Sequence, residues 1–418
     1  MKPQEKIAIT NIIVETCLGS EIHDVHGALL TNMSLAKSYK NAEIDSDLEE
    51  KTVASICHVM DKLQSTFFMD RLNEMFSDIL PKLTQIIAED LLNKRILILH
   101  VTPNKESARS TIVDLDYYKE VFSDYLDLES EEGEKIKVHF ISDNECVIEH
   151  LDEAFTQMQD NKCDAVIVGG VDSLVNIITC HELYDDKNLK CEDQIAGTSP
   201  GEAAAYVVFK NQVVAETEGN NIFSVIDKLS FSAEPNNRKA STSKLSGLGQ
   251  TLKNISPDSQ KVAENIKALF TSISTYRPEV LEWHQVTQQL ISEDQKSNNR
   301  VATITEAEPI DEINDDSLSL VNSQVSLGDI GSATVPMLIA SAAYHNMYEH
   351  ELGNYGFESN NNEKKNVVCE MGDKQFRGSM SLNSVKSTQR KGFSPLVVDE
   401  EDDLNIPELK EENSWVET

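Results

Sequence analysis

Short apolar runs alternating with amphipathic stretches are the feature that most restricts what this chain can fold into. RILILHV, from Arg95 to Val101, is a continuous β-branched and leucine run of strand length, and such runs suit strands covered on both faces. VHFIS follows at Val138 and DAVIVGG at Asp164, with a helical pattern from Glu145 to Met158 between them. Upstream, KIAITNIIVETC reads as a buried strand from Ile7 to Val14 that breaks at Leu18-Gly19. Next, Phe68, Leu72, Phe76, Leu80, Leu83 and Ile87 recur at spacings of three and four, the stripe of a helix facing a core. Pro81 is expected to kink or divide that helix. Strands alternating with helices in this way predict an α/β protein, with a parallel sheet covered by helices.

The alternation starts again near Ile222. FSVIDKLSFSA reads as a strand, the stretch around Val262 to Phe270 as a helix, VATITEA as a strand and VPMLIASAAYHNMY as a buried helix. NVVCEM is a further strand before the final segment GSMSLNSV, and residues 353–365 form a polar loop. We therefore expect two related α/β halves, residues 1–215 and 216–387. Residues 388–418 read as an acidic, disordered tail, because from Asp399 to Thr418 there are nine acidic residues and one lysine, too few apolar groups to offset the entropy of ordering.

Charge narrows the function classes. The 418 residues carry 71 acidic against 37 basic side chains, a formal net charge of −34, which repels phosphate backbones and anionic lipid surfaces. Nucleic acid and membrane are thus excluded as expected partners. The longest apolar stretch, Val335 to Tyr344, falls far short of the roughly 18 residues of a membrane span. Asn11 and Glu15 interrupt any signal-like core at the N-terminus, so a cytoplasmic location is expected. Seven cysteines lie far apart without a CxxC pair, as thiols do in a reducing compartment. His23 and His26 form an HxxH pair with no further ligand nearby, which reads as a solvated helix turn. We expect neither a metal nor a cofactor.

Three local patterns carry chemistry. CDAVIVGGVDSLVN (163–176) ends a buried strand at Gly169-Gly170, where backbone must approach closely. GTSPGEAAAYVVF (197–209) opens a tightly packing strand at Gly201-Glu202, and SLGDIGSATVPMLIASAAYH (326–345) has a glycine turn from Gly328 to Gly331 before a buried helix. Together these resemble the β-ketoacyl synthase branch of the thiolase superfamily over roughly residues 6 to 385. The resemblance implies a thiolase-like, layered αβαβα body and a homodimer. It also makes Gly169, Gly170, Asp172, Gly201, Glu202 and Gly328 turns of a vestigial pocket.

The chemistry of that family needs a cysteine at the N-terminus of a buried helix, where the helix dipole favours thiolate. Two histidines then donate to the developing oxyanion. Counting back from Gly169 at the family spacing puts Asn144 at the nucleophile position, with Cys146 two residues on as the fallback nucleophile. ALFTSISTYRPEVLEW has no histidine where the first one belongs; His284 follows, as a surface helix residue. Asp329 replaces the second histidine, and a carboxylate accepts where an oxyanion needs a donor. The expected function is a catalytically degenerate protein acting as adaptor, co-chaperone or structural subunit. SAEPNN, SGLGQTL, the stretch Arg277 to Trp283 and GDIGSAT are further similar to divergent ketosynthase-like proteins that accompany bacterial type VI secretion effector modules. That similarity implies a protein partner, a secreted effector or its adaptor. Two alternatives stay open: an acyltransferase using Cys146, and a non-catalytic acyl-thioester binder.

Overall fold

Buried strand runs and helical stripes alternate through the computed structural model of the chain. The structure describes residues 5–385, except 46–51, 66, 127, 129–134, 192–193, 235–246, 257–264, 276, 291–317, 355–363 and 372–375. The first half runs β1 (Ile7–Thr16), α1 (Ile22–Leu30), β2 (Lys37–Asp45), β3 (Thr52–Cys57), α2 (Phe68–Asp90), β4 (Ile96–Thr102), α3 (Leu115–Leu126), β5 (Ile136–Ser142), α4 (Val147–Gln159), β6 (Ala165–Ser173), α5 (Ile177–Asp185), β7 (Glu202–Asn211) and α6 (Gln212–Glu218). The second runs β8 (Ser224–Ala233), α7 (Gly247–Ile255), β9 (Ile266–Thr271), α8 (Arg277–Leu290), β10 (Ser319–Asn322), α9 (Ser323–Leu327), α10 (Thr334–Asn354), β11 (Lys365–Glu370) and β12 (Phe376–Asn383).

The two halves repeat one topology. Strand order is β5-β4-β6-β7-β1 in the first and β10-β9-β11-β12-β8 in the second. In each, the fourth and second strands are parallel, as are the second and third, while the fifth runs antiparallel to the fourth and the first. A short antiparallel pairing, Ile7 with Ile226 to Ile9 with Ser224, joins them into ten strands.

Side-chain alternation then stacks five layers. Ile96, Ile98, Ile167 and Val208 pack under α2 and α3, whereas Leu97, Leu99, Val168 and Val207 face α4 and α10. Ala268, Phe270, Val368 and Met380 meet the same central helices from the other side, and Leu269, Val367 and Cys369 lie under α7 and α8. This is the expected αβαβα order. It explains why α10 is apolar on every side from Val335 to Tyr344: a helix sandwiched between two sheets has no polar face there.

Several local expectations change. The expected helix around Val262 to Phe270 is overturned: IKALFT (Ile266–Thr271) is the inner strand β9; a short, continuous apolar run has the same appearance in either state. Pro81 sits inside one undivided helix, α2. His26 is not solvated: it is buried and shares a 2.9 Å hydrogen bond with His345, leaving only His23 exposed. The strands β2 and β3 form a small separate sheet that the polar sequence KSYKNAEID gives no reason to expect. VATITEA and the segment 388–418 lie outside the described residues.

Candidate functional site

The three sequence patterns meet in space. Gly201 N–H donates to the Asp329 carbonyl at 2.8 Å, and Asp329 N–H donates to the Ser199 carbonyl at 2.7 Å, tying the second pattern to the third. Asp172 of the first accepts from the Ser332 N–H at 3.0 Å and its hydroxyl at 3.2 Å. A Cβ on Gly170 would overlap the Ser332 carbonyl, one on Gly169 the Tyr206 ring, and one on Gly201 the Leu327 carbonyl. Gly328 takes a positive φ of 68° beside His58, a conformation that only glycine adopts freely. Glu202 is fully buried and paired with Arg71, and its carboxylate also accepts from Ser173 Oγ at 2.7 Å and Met60 N–H at 2.6 Å.

A cavity of about 290 Å³ lies beside this junction, at the point where α4 and α10 begin. These are the helices that follow the third strand of each half. Their electropositive first turns face the cavity, and carboxylates meet both. Glu370, at the end of β11, accepts from Val147 N–H at 2.9 Å, from Ile148 N–H at 3.0 Å and from the Cys146 thiol at 3.3 Å. Asp172, near the end of β6, accepts from Ser332 before α10, and Asp329 Oδ1 accepts from Gly331 N–H at 3.0 Å. The fourth strand of each half thus supplies an acid to the helix start of the other.

The candidate nucleophile positions separate clearly. Asn144 is exposed in the turn before α4 and lines the cavity. Cys146 is the N-cap residue of α4, is 2% exposed and is held against Glu370. Asp329 also lines the cavity; burial raises its carboxyl above the ordinary value, against the Gly331 N–H and the Arg109 guanidinium. Gly169, Gly170, Asp172, Gly201, Glu202 and Gly328 sit in the packing behind the wall and do not line it. His284 is exposed on α8. No histidine lines the cavity among the described residues.

Sequence patterns did not point to Arg109 or Glu370. Arg109 is 7% exposed, lines the cavity, and directs Nη2 at Asp143 (3.3 Å) and Asp172 (3.5 Å). Those two acids and Asp329 hold its guanidinium above its ordinary value despite the burial. Nothing around Ser107 to Ser110 is periodic enough to single it out. Glu370 did leave a trace: an acid ending the otherwise apolar strand NVVCEM must find donors once buried. Among the described residues no group of three or more histidine, cysteine or carboxylate side chains could hold a metal ion, and no helix is long and apolar enough to cross a membrane.

No protein-family model matches the chain. No curated protein matches it. Solved structures do. The ketosynthase from module 6 of the bacillaene synthase of Bacillus subtilis 168 aligns with a TM-score of 0.68 at 11% identity, covering 92% of this chain and 73% of that one. The ketosynthase domain KS7 of OzmH, from the oxazolomycin system of Streptomyces albus JA3453, gives 0.65 at 9%, covering 94% and 76%. A type II polyketide ketosynthase in complex with its acyl-carrier protein, AntDE:AntF, gives 0.66 at 9%, covering 92% and 100%. With the duplicated strand order and the five layers, this similarity establishes that the chain has the thiolase-like fold of the ketosynthases.

Proposed function

We propose that this chain is a catalytically degenerate ketosynthase-like protein that works by binding another protein. The observation that carries the reading is Glu370 on the first turn of α4, where two backbone N–H groups and the Cys146 thiol all point at its carboxylate. A thiolate formed there would face a carboxyl oxygen of Glu370 at 3.3 Å and would find the helix donors already engaged. The missing second support, imidazole donors for an oxyanion, agrees with a cavity wall on which no described residue is histidine.

One observation favours a second reading, an acyltransferase using Cys146: the sulfur does stand at the N-cap of a buried helix. A single experiment separates the two. Incubation with a short acyl-thioester donor, followed by intact-mass measurement, is expected to leave the chain unmodified; stoichiometric acylation that disappears in Cys146→Ala would establish the acyltransferase instead. A non-catalytic acyl-thioester binder would remain unmodified but would gain thermal stability with the donor.

The partner is expected to be a protein, in keeping with a structural neighbour that is a ketosynthase bound to its carrier protein. The similarity of several sequence phrases to secretion-associated ketosynthase-like proteins makes a secreted effector or its adaptor the proposed candidate. A homodimer is proposed as well. Among the described residues, strand β5 is an edge strand of the large sheet with one side unpaired, a geometry that a second copy can extend. Light scattering at micromolar concentration is expected to give twice the monomer mass, and a monomer would count against the pairing.

A further inference from the structure

The cavity has a charge opposite to that of a site for an anionic carrier. Asp143, Glu182, Asp186, Glu279, Asp329 and Glu370 line it, with Arg109 as the one basic residue among the described lining. The two helix starts that could attract an anion already hold Glu370, Asp172 and Asp329. Phosphorylated arms and free phosphates would therefore meet a net repulsive field.

One wall is a helix face. Thr179, Glu182, Leu183 and Asp186 recur at three- and four-residue steps along α5 and its C-cap, and all four line the cavity. The C-terminal carbonyls of α5 add partial negative charge next to Asp186. Asp186 is exposed and has no ion pair among the described residues. Two lining residues also hold a buried polar atom that has no hydrogen-bond partner among the described residues: Thr179, 2% exposed, at its hydroxyl, and Arg109, 7% exposed, at Nε. Buried polar atoms ordinarily find partners, so such exceptions mark a place where one is to be supplied.

From this combination we propose that the cavity binds a cationic ligand, an ammonium or guanidinium group held by Glu182 and Asp186, whose carbonyl acceptor is offered to Arg109 and Thr179. The inference rests on the reading of the chain as a binding protein. A basic side chain within a peptide and a free amino-acid amide share this chemistry. A protein of net charge −34 also draws such ligands toward itself at long range.

Calorimetric titration of the full chain with four probes tests the assignment. Argininamide carries the cation and the carbonyl, butylguanidine the cation without a carbonyl, and acetyl-citrullinamide the carbonyl without the charge; acetyl-Gly-Arg-Gly-amide places both in a peptide. Argininamide or the tripeptide is expected to bind saturably at one site. Whichever of the two binds more tightly names the source. Butylguanidine should bind about tenfold more weakly than argininamide, acetyl-citrullinamide should not saturate, and added salt should weaken every cation.

The double variant Glu182→Gln with Asp186→Asn should lose about tenfold in affinity, as should Thr179→Val. Asp116→Asn, an exposed acid on α3, should leave binding unchanged. Asp186→Asn alone breaks no side-chain hydrogen bond or ion pair among the described residues, so it reads the site without a loss of folding. Absence of saturable binding by both argininamide and the tripeptide would overturn the proposal, as would binding indifferent to the cavity variants. Tighter binding of pantetheine than of either cation would do the same. Acylation of Cys146 overturns the adaptor reading instead, and it is read separately, by mass.

Discussion

Glu370 concentrates the residue-scale account. Its carboxylate serves two orphan N–H groups at the start of α4 and the Cys146 thiol, all in a buried setting. Glu370→Ala leaves those donors without a partner, which costs about 1–3 kcal/mol. Denaturant unfolding is expected to show a loss of that size, and Glu370→Gln, which keeps an acceptor oxygen, a smaller one. An unchanged midpoint in Glu370→Ala would mean that water replaces the carboxylate freely. The sequence made part of this legible. Motif spacing counted from Gly169 reached Asn144, yet α4 begins at Val147 and Cys146 caps it. Counting along the chain cannot register where a turn ends and a helix begins, and it cannot see an acid 224 residues away.

Between elements, the decisive arrangement is the crossed exchange of acids between halves, Glu370 from β11 to α4 and Asp172 from β6 to the start of α10. It depends on backbone approaching backbone at Gly170, against the Ser332 carbonyl. A carbonyl cannot step aside as a side chain can, so Gly170→Ala should destabilise the fold by about 1–3 kcal/mol, measured as a lowered denaturation midpoint. Wild-type stability in that variant would contradict the packing. The glycine-pair motif announced this closeness in advance, since an isolated Gly-Gly ending a buried strand has few other uses. Element type was less legible where one apolar run could be either state. IKALFT became strand β9 because both its faces are covered, by α10 and by α7 and α8, and that is a property of the assembled layers.

At the scale of the whole molecule, duplicated topology turns two modest halves into one sheet with a shared middle layer of helices. The halves were visible as a repeated alternation, but their common strand order was not, because strand neighbours are set by long-range pairing. Burial throughout this body also stores a pH dependence. Burial lowers His58 to about 4 and His100 to about 3, and burial with the neighbouring His345 lowers His26 to about 4. The unfolded chain takes up protons below about pH 6.5 that the folded chain refuses, so this stability is present above that pH and is lost on acidification toward 4. Each histidine contributes up to about 1.4 kcal/mol per pH unit in that window. Denaturant midpoints should fall from pH 6.5 to 4, and His100→Phe should flatten the slope; a flat profile would contradict the buried neutral rings.

The functional proposal turns on Cys146 being held closed by Glu370 at the start of α4. Peptide-mapped mass spectrometry of the native chain under excess iodoacetamide follows the Cys146 thiol directly. The account predicts that Cys146 stays unmodified while the chain is folded and reacts once Glu370→Ala removes the carboxylate. Rapid alkylation of Cys146 in the native, unsubstituted chain would show a free and activated thiol, and would contradict it.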